Sequence, residues 1–326
     1  MVILDSVLQA VGETPVVRLN RIGRELPHTL LVKLEYLNPS GSVKDRMAIF
    51  MCEQAARRGE LRPGGTIVEN TSGNTGMALA MYAAVKGYQC VFTIPDKMSQ
   101  EKINQLRAFG AEVVVCPYDV PEDHPEHYVN VAKRIAEERP GSFYVNQYHN
   151  QDNITAHQLT TGPEIWRQTE GKVDYIFIGA GTGGTLSGVG RFFKSAGLPT
   201  KIIGVDPEGS IFYDLFHRGE PGEPHPYQVE GIGMEIVCQA LDLTVVDDFV
   251  RVGDRESFLM TRRLAREEGL YCGGSSGAAV SAMVRYMAEI EEEGPKVALA
   301  ILPDHGSRYL SKIYNDQWMR EHGYLD

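Results

Sequence analysis

Lys44 is the residue around which chemistry can be built. It follows the turn Asn38-Pro39-Ser40-Gly41-Ser42 and opens a helix whose apolar positions are Val43, Ala48, Ile49, Met51 and Cys52. The positive end of the helix dipole disfavours an ammonium there and favours the neutral amine. A neutral amine at a partly enclosed helix start is what Schiff-base chemistry with an aldehyde requires. A single lysine at this spacing is ordinarily a first-turn residue reaching back into water. Three glycine- and hydroxyl-rich loops change that reading, each of them opening a helix.

The first loop is Thr71-Ser72-Gly73-Asn74-Thr75-Gly76, between a strand and a helix. Successive backbone N–H groups, three hydroxyls and an amide at a helix N-terminus make an anion-binding arrangement. A helix cap needs one such residue, not six in a row. The second loop, Gly179-Ala180-Gly181-Thr182-Gly183-Gly184-Thr185, follows an apolar strand. Its glycines let backbone approach a phosphate, and Thr182 and Thr185 add hydroxyl donors. The same segment satisfies G-x-G-x-x-G at Gly179, Gly181 and Gly184, with Asp206 closing the next strand, so this loop alone also fits a dinucleotide. The third loop is Cys272-Gly273-Gly274-Ser275-Ser276-Gly277. It reads either as a turn with a serine cap or as a hydroxyl aimed at a ring nitrogen.

The elements that must position these loops alternate. Strands are predicted over 66–69, 90–94, 112–116, 142–145, 173–178, 201–205, 243–246 and 296–302. Helices are predicted over 74–86, 99–109, 126–138, 153–168, 185–195, 255–268 and 276–292. Short β-branched runs joined by helices imply parallel sheets with right-handed crossovers, in two α/β units. The loops at the strands' carboxyl ends would converge on a cleft between those units. The Gly/Pro-rich stretch 219–226 is expected to be a long loop suited to a lid or a substrate-facing connection.

Composition narrows the function classes. A formal charge of −11 argues against a general nucleic-acid or membrane-surface binder, which needs a basic face. The amino terminus lacks the basic and apolar regions of a signal peptide, and no apolar run approaches the roughly 20 residues of a spanning helix. Cys52, Cys90, Cys116, Cys238 and Cys272 are odd in number and form no C-x-x-C, which suits reduced thiols in the cytoplasm. The nine histidines show no metal-ligand spacing, so no metal is expected; His149 and His157 read as satisfied or exposed side chains. Cys272 is assigned no catalytic role, and Lys97 reads as a solvated loop lysine.

Together the loops supply a lysine for an aldehyde, a hydroxyl for a pyridine nitrogen, a phosphate cradle and a separate carboxylate-binding loop. Those are the parts of a pyridoxal phosphate site. A dinucleotide would leave Lys44, the 71–76 loop and Ser275 unexplained. At these residues the chain resembles the fold-type II pyridoxal phosphate enzymes of the cysteine synthase/cystathionine β-synthase family. The resemblance runs from Gly12-Glu13-Thr14-Pro15-Val16-Val17-Arg18-Leu19 to Leu302-Pro303-Asp304 and Arg308-Tyr309-Leu310. Asp96-Lys97-Met98-Ser99, Asn146-Gln147-Tyr148, the 204–210 segment and Val229-Glu230-Gly231-Ile232-Gly233 lean toward the cystathionine-forming branch.

The resemblance implies two open twisted sheet domains with flanking helices. Residues 1–10 and 40–146 would form the smaller domain, 11–39 and 147–326 the larger, with the active site in the cleft between them. It implies that Lys44 carries the cofactor as a Schiff base and acts as general base. Asn74 would meet the cofactor's 3′-oxygen. Gly181, Thr182, Gly183, Gly184 and Thr185 would hold the phosphate, and Ser275 would face the ring nitrogen. Thr71, Ser72, Thr75 and Gln147 would bind the amino acid's carboxylate, with Tyr148, Gly231 and Gly233 on the second-substrate side. The activity implied is β-replacement through an aminoacrylate: serine plus homocysteine giving cystathionine, or O-acetylserine plus sulfide (or another nucleophile) in a sibling enzyme. A non-catalytic scaffold should tolerate loss of Lys44 and Ser275, and both are present. Glu230 reads either as a selector of a substrate ammonium or as a surface carboxylate. A homodimer is expected; neither haem nor an adenosyl-responsive regulatory domain is.

Overall fold

The computed structural model spans residues 1–326 and describes all of them except Met1, Val2, Ser72, Lys97, Ser99, Glu122 and the side chain of Glu101. The chain divides into two compact units, Met1–Val11 with Asn38–Ala156, and Gly12–Leu37 with His157–Asp326. Residues 147–156, expected with the second unit, fall in the first, where Ala156 joins the apolar core.

Chain order gives strands β1 (Val16–Arg18), β2 (Thr29–Leu34), β3 (Thr66–Asn70), β4 (Gln89–Pro95) and β5 (Glu112–Cys116). They are followed by β6 (Phe143–Tyr144), β7 (Tyr175–Gly179), β8 (Lys201–Pro207), β9 (Asp248–Val252) and β10 (Val297–Leu302). The helices are α1 (Lys44–Arg58), α2 (Asn74–Lys86), α3 (Gln100–Ala108), α4 (Tyr128–Glu138), α5 (Asp152–Leu159) and α6 (Thr161–Gln168). After them come α7 (Gly184–Ser195), α8 (Phe212–Arg218), α9 (Asp254–Glu268), α10 (Gly274–Glu289) and α11 (Asp316–Glu321).

The first unit is built on a parallel sheet of order β5-β4-β3-β6. Its central strands β3 and β4 are buried almost throughout, as strands covered on both faces must be. Met47, Met51 and Cys52 of α1, Leu79 and Tyr82 of α2, and Ile67 and Phe92 of the sheet form one core. The alanines of α2 suit both helix formation and close packing, and Ala78, Ala80 and Ala83 are buried.

The second unit carries a six-stranded sheet of order β1-β2-β10-β7-β8-β9. All neighbours are parallel except β1 and β2. This departs from the all-parallel expectation because the segment 19–28 is too short for a crossover of a dozen or more residues. A second core lies over this sheet, drawing on Phe177, Ile203, Phe258, Val280, Met283 and Leu302.

Two expected elements differ. Residues 243–246 do not form a strand: the Asp242 carboxylate accepts the N–H of Thr244 and closes a 3-10 turn over Leu243–Val245, and the strand forms later as β9. The single helix expected over 153–168 is two, α5 and α6, parted at Thr160. Pro163 has no N–H to give the Leu159 carbonyl, so the first helix ends there and Pro163 falls in the first turn of the next.

One buried polar cluster ties the second unit's early segment to α6. Lys33, fully buried, donates to Glu164 at 2.6 Å, to the Thr14 carbonyl at 2.8 Å and to Gln168 at 2.8 Å. Thr14 donates in turn to the buried Glu35 at 2.6 Å. Among the described residues no helix is long and apolar enough to cross a membrane.

Candidate active site

The sequence-predicted residues fall into two sets, one in each unit. In the first unit α1 starts at Lys44, whose N–H donates to the Ser42 hydroxyl at 3.3 Å. The preceding turn is folded back by Asp45: its buried carboxylate accepts the Ser40 N–H at 2.7 Å and the Ser40 hydroxyl. Lys44 itself is half-buried at the first position of the helix. The turn that the Ser/Gly spacing announced is therefore present, and Asp45 is the residue that fixes it.

β3 delivers the chain to the 71–76 loop. Gly73 is the N-cap of α2, and space lies open where its Cβ would be. A glycine N-cap brings no side chain to close the helix's first N–H groups. Thr71 accepts the Gly73 N–H at 3.4 Å, and Asn74 is half-buried on the first turn. Gly76 packs where a Cβ would lie 2.8 Å from Leu106, so the loop sits tight on α3. Thr75 and Gln147, separated by 72 residues, are brought together: the buried Thr75 hydroxyl donates to Gln147 Oε1 at 2.7 Å. Tyr148 follows, half-buried, while Ser72 lies outside the described residues, as does Lys97.

In the second unit β7 ends at Gly179 and hands over to the 179–185 loop. A Cβ on Gly181 would lie 2.7 Å from the Gly231 carbonyl, so only glycine permits this approach. Gly183, the N-cap of α7, has a left-handed φ of 93°, and its Cβ would lie 2.6 Å from the Ala240 carbonyl. Thr182 accepts the Gly184 N–H at 3.5 Å. Thr185 meets Nε2 of His157 at 3.2 Å, and Nδ1 of that buried ring meets Thr161 at 2.8 Å. His157 thus orients Thr185, a role that its spacing in the sequence did not signal; His149 is exposed.

The Gly231-Ile232-Gly233 loop lies directly on this one. The Gly233 N–H donates to the Ala180 carbonyl at 2.7 Å, and Ile232 fills the space that a Cβ on Gly179 would need. Glu230, just before it, pairs with Lys312 at 2.6 Å. Ser275 stands on the first turn of α10, 2% exposed, behind another glycine N-cap, Gly273. Its hydroxyl makes no side-chain hydrogen bond among the described residues, which leaves it available to a ligand. Cys272 is fully buried, and burial pushes its thiol up to about 12, which keeps it a neutral thiol.

The chain matches the family described as "Pyridoxal-phosphate dependent enzyme" over residues 7–304. It is 47% identical to the cystathionine β-synthase of Oryctolagus cuniculus, over 99% of this chain and 59% of that protein. It is 45% identical to that of Apis mellifera, over 99% of this chain and 64% of that protein. A cysteine synthase of Staphylococcus aureus is 43% identical over 94% of this chain and 96% of its own length. The chain therefore spans about three fifths of the curated cystathionine β-synthases it matches. With its lysine-headed helix and glycine-capped loops on the two-sheet fold, the chain belongs to the pyridoxal-phosphate dependent enzyme family.

Proposed function

We propose that this chain catalyses β-replacement on a serine-type amino acid, condensing L-serine with L-homocysteine to L-cystathionine. The observation that carries the reading is a pair of helix N-termini, α2 and α7, both capped by glycine and both entered through hydroxyl-bearing loops. Two anion seats suit a system with two anionic ends, a cofactor phosphate and an α-carboxylate. The residues fit pyridoxal phosphate on structural grounds: the close approaches at Gly181 and Gly183 leave backbone N–H groups for the phosphate, and the Ser275 hydroxyl has no hydrogen-bond partner to lose among the described residues.

In this reading Gly181, Thr182, Gly183, Gly184 and Thr185 hold the phosphate, and Asn74 holds the ring oxygen. Ser275 offers the ring nitrogen a neutral hydroxyl. When bound, the cofactor withdraws electrons from the substrate's α-carbon. Lys44 Nζ anchors it, then takes the proton from the substrate Cα and delivers it to the departing hydroxyl oxygen. Thr71, Ser72, Thr75 and Gln147 seat the α-carboxylate. Tyr148, Gly231 and Gly233 line the approach of the thiol. The assembly proposed is a cytoplasmic homodimer.

A second reading has a specific observation behind it: the Staphylococcus aureus cysteine synthase matches at 43% identity over 96% of its own length. That enzyme's name points to cysteine formation, here from O-acetylserine and sulfide. The test is the visible spectrum of the cofactor-loaded protein on adding each donor, followed by mass analysis of products with each acceptor. Conversion by serine and reversal by homocysteine, with cystathionine formed, is the expected result. A response to O-acetylserine alone would move the assignment to cysteine synthesis. Lys44→Ala should lower kcat by roughly 10²–10⁴-fold, the usual size of a lost acid–base group.

A further inference from the structure

β3 runs through the middle of its sheet with all five residues buried, and one of them does not suit that setting. Glu69 has no exposed surface, and neither carboxyl oxygen has a hydrogen-bond partner among the described residues. No lysine, arginine or histidine among those residues pairs with it. An unpaired buried carboxylate is far more costly than a buried carboxylic acid. Burial accordingly pushes its pKa up to about 8, against the opposing pull of the Asn146, Gln147 and Asn70 N–H groups and the Gln147 amide, which approach without reaching full hydrogen-bond geometry. Among the described residues, the titratable groups that face it are Cys52 of α1 and Tyr144 of β6, both held neutral because burial raises them too.

Two of the residues gathered around Glu69, Asn146 and Gln147, belong to the turn that follows β6. Asn146 there has a left-handed φ of 52°, one of three such non-glycine residues among those described. A conformation of that kind persists only where its surroundings impose it. The next residue is Gln147, whose carbonyl accepts from Asn153 at 2.8 Å and whose Oε1 accepts from Thr75. With Oε1 so engaged, the amide's N–H bonds are left for Glu69 on one side and for a ligand on the other.

We propose that Glu69 is a positioning residue: it holds the Asn146–Gln147 turn and, through the Gln147 amide, sets the seat of the substrate's α-carboxylate. The inference rests on the proposed role of Thr75 and Gln147. The neutral acid is the working form. Its ionisation would draw the amide N–H bonds inward through a stronger charge-assisted bond and repel the incoming carboxylate.

The test uses cofactor-loaded protein and two amines, L-serine and 2-amino-1,3-propanediol, which lacks the carboxylate, each titrated by the visible spectrum. At pH 7 wild type and Glu69→Gln should bind serine alike, and Glu69→Leu about tenfold more weakly, because the buried Gln147 amide loses the polar group it faces. All three should bind the diol alike. Wild-type serine affinity in Glu69→Leu, or equal loss of both amines, overturns the proposal. If the leucine variant does not fold, a pH series decides. From pH 6 to 9 the serine-to-diol affinity ratio should fall in wild type and stay level in Glu69→Gln; identical profiles overturn the proposal. A wild-type protein that answers neither amine overturns the amino-acid reading of the site and the inference with it, a result distinct from a seat that works without Glu69.

Discussion

Glu69 makes a prediction that needs no ligand. Its ordinary pKa near 4.5 is raised to about 8 in the folded chain by burial. Between those values the unfolded chain has released the proton and the folded chain still holds it. The folded state binds more protons, so Glu69 lowers stability as pH rises through this window and adds no further slope above it. Glu69→Gln removes that slope, and its melting temperature should gain on wild type steadily from pH 5 to 8. Parallel curves for the two proteins would mean that the carboxyl ionises freely in the folded chain. Gly183 allows a second test at this scale. Alanine there would meet a left-handed φ of 93° and a carbonyl 2.6 Å from its Cβ. Gly183→Ala should cost roughly 1–3 kcal/mol by overpacking, with added backbone strain, read as a lowered denaturation midpoint. It should also weaken retention of pyridoxal phosphate, measured by dialysis.

The elements show why parts of the site could be read from sequence and others could not. The 71–76 and 179–185 loops were legible because each is a local event, a strand end, a glycine N-cap and a helix start within a few residues, and Lys44 was legible as the head of α1 just past a Ser/Gly turn. The Thr75–Gln147 bond spans 72 residues, and nothing in either segment's periodicity announces the other. Pro163 was visible, yet apolar periodicity continued through it, so α5 and α6 read as one helix. The Leu243-Thr244-Val245-Val246 run has strand composition, but an aspartate side chain just before it supplies the turn's hydrogen bond instead. Least legible was Lys33, a charged residue in a stretch where no element was predicted, which links β2 to α6 through Glu164, 131 residues away. Removing that cation strands buried carboxylates. Lys33→Met should therefore destabilise the chain by roughly 3–5 kcal/mol, the usual cost of breaking a buried pair from one side. A Lys33→Met/Glu164→Gln double variant should recover part of the loss in a urea melt. A single-variant midpoint matching wild type would show that the cluster contributes nothing.

For the molecule as a whole, the two cores differ in how the chain assembles them. The first unit's sheet is complete within residues 66–144, and its apolar core is drawn almost wholly from the continuous stretch Asn38–Ala156. The second unit is discontinuous: β2 lies between β1 and β10, pairing residues 29–34 with 297–302. That pairing cannot form until nearly the whole chain is available, and long-range parallel pairings are slow. Cutting the chain at the unit boundaries should expose the difference. A fragment of residues 38–156 should fold alone, with native-like circular dichroism and a cooperative melt. A fragment of 157–326 lacks β1 and β2, so the buried run of β10 becomes an open edge. An apolar edge strand is a template for intermolecular pairing, and this fragment should aggregate at micromolar concentration. Joining residues 12–37 to its carboxyl end through a flexible linker restores the missing strands in a permuted order. The permuted fragment should stay monomeric in size-exclusion chromatography and melt cooperatively. Continued aggregation with β1 and β2 restored would show that the second unit draws its stability from outside its own sheet and core.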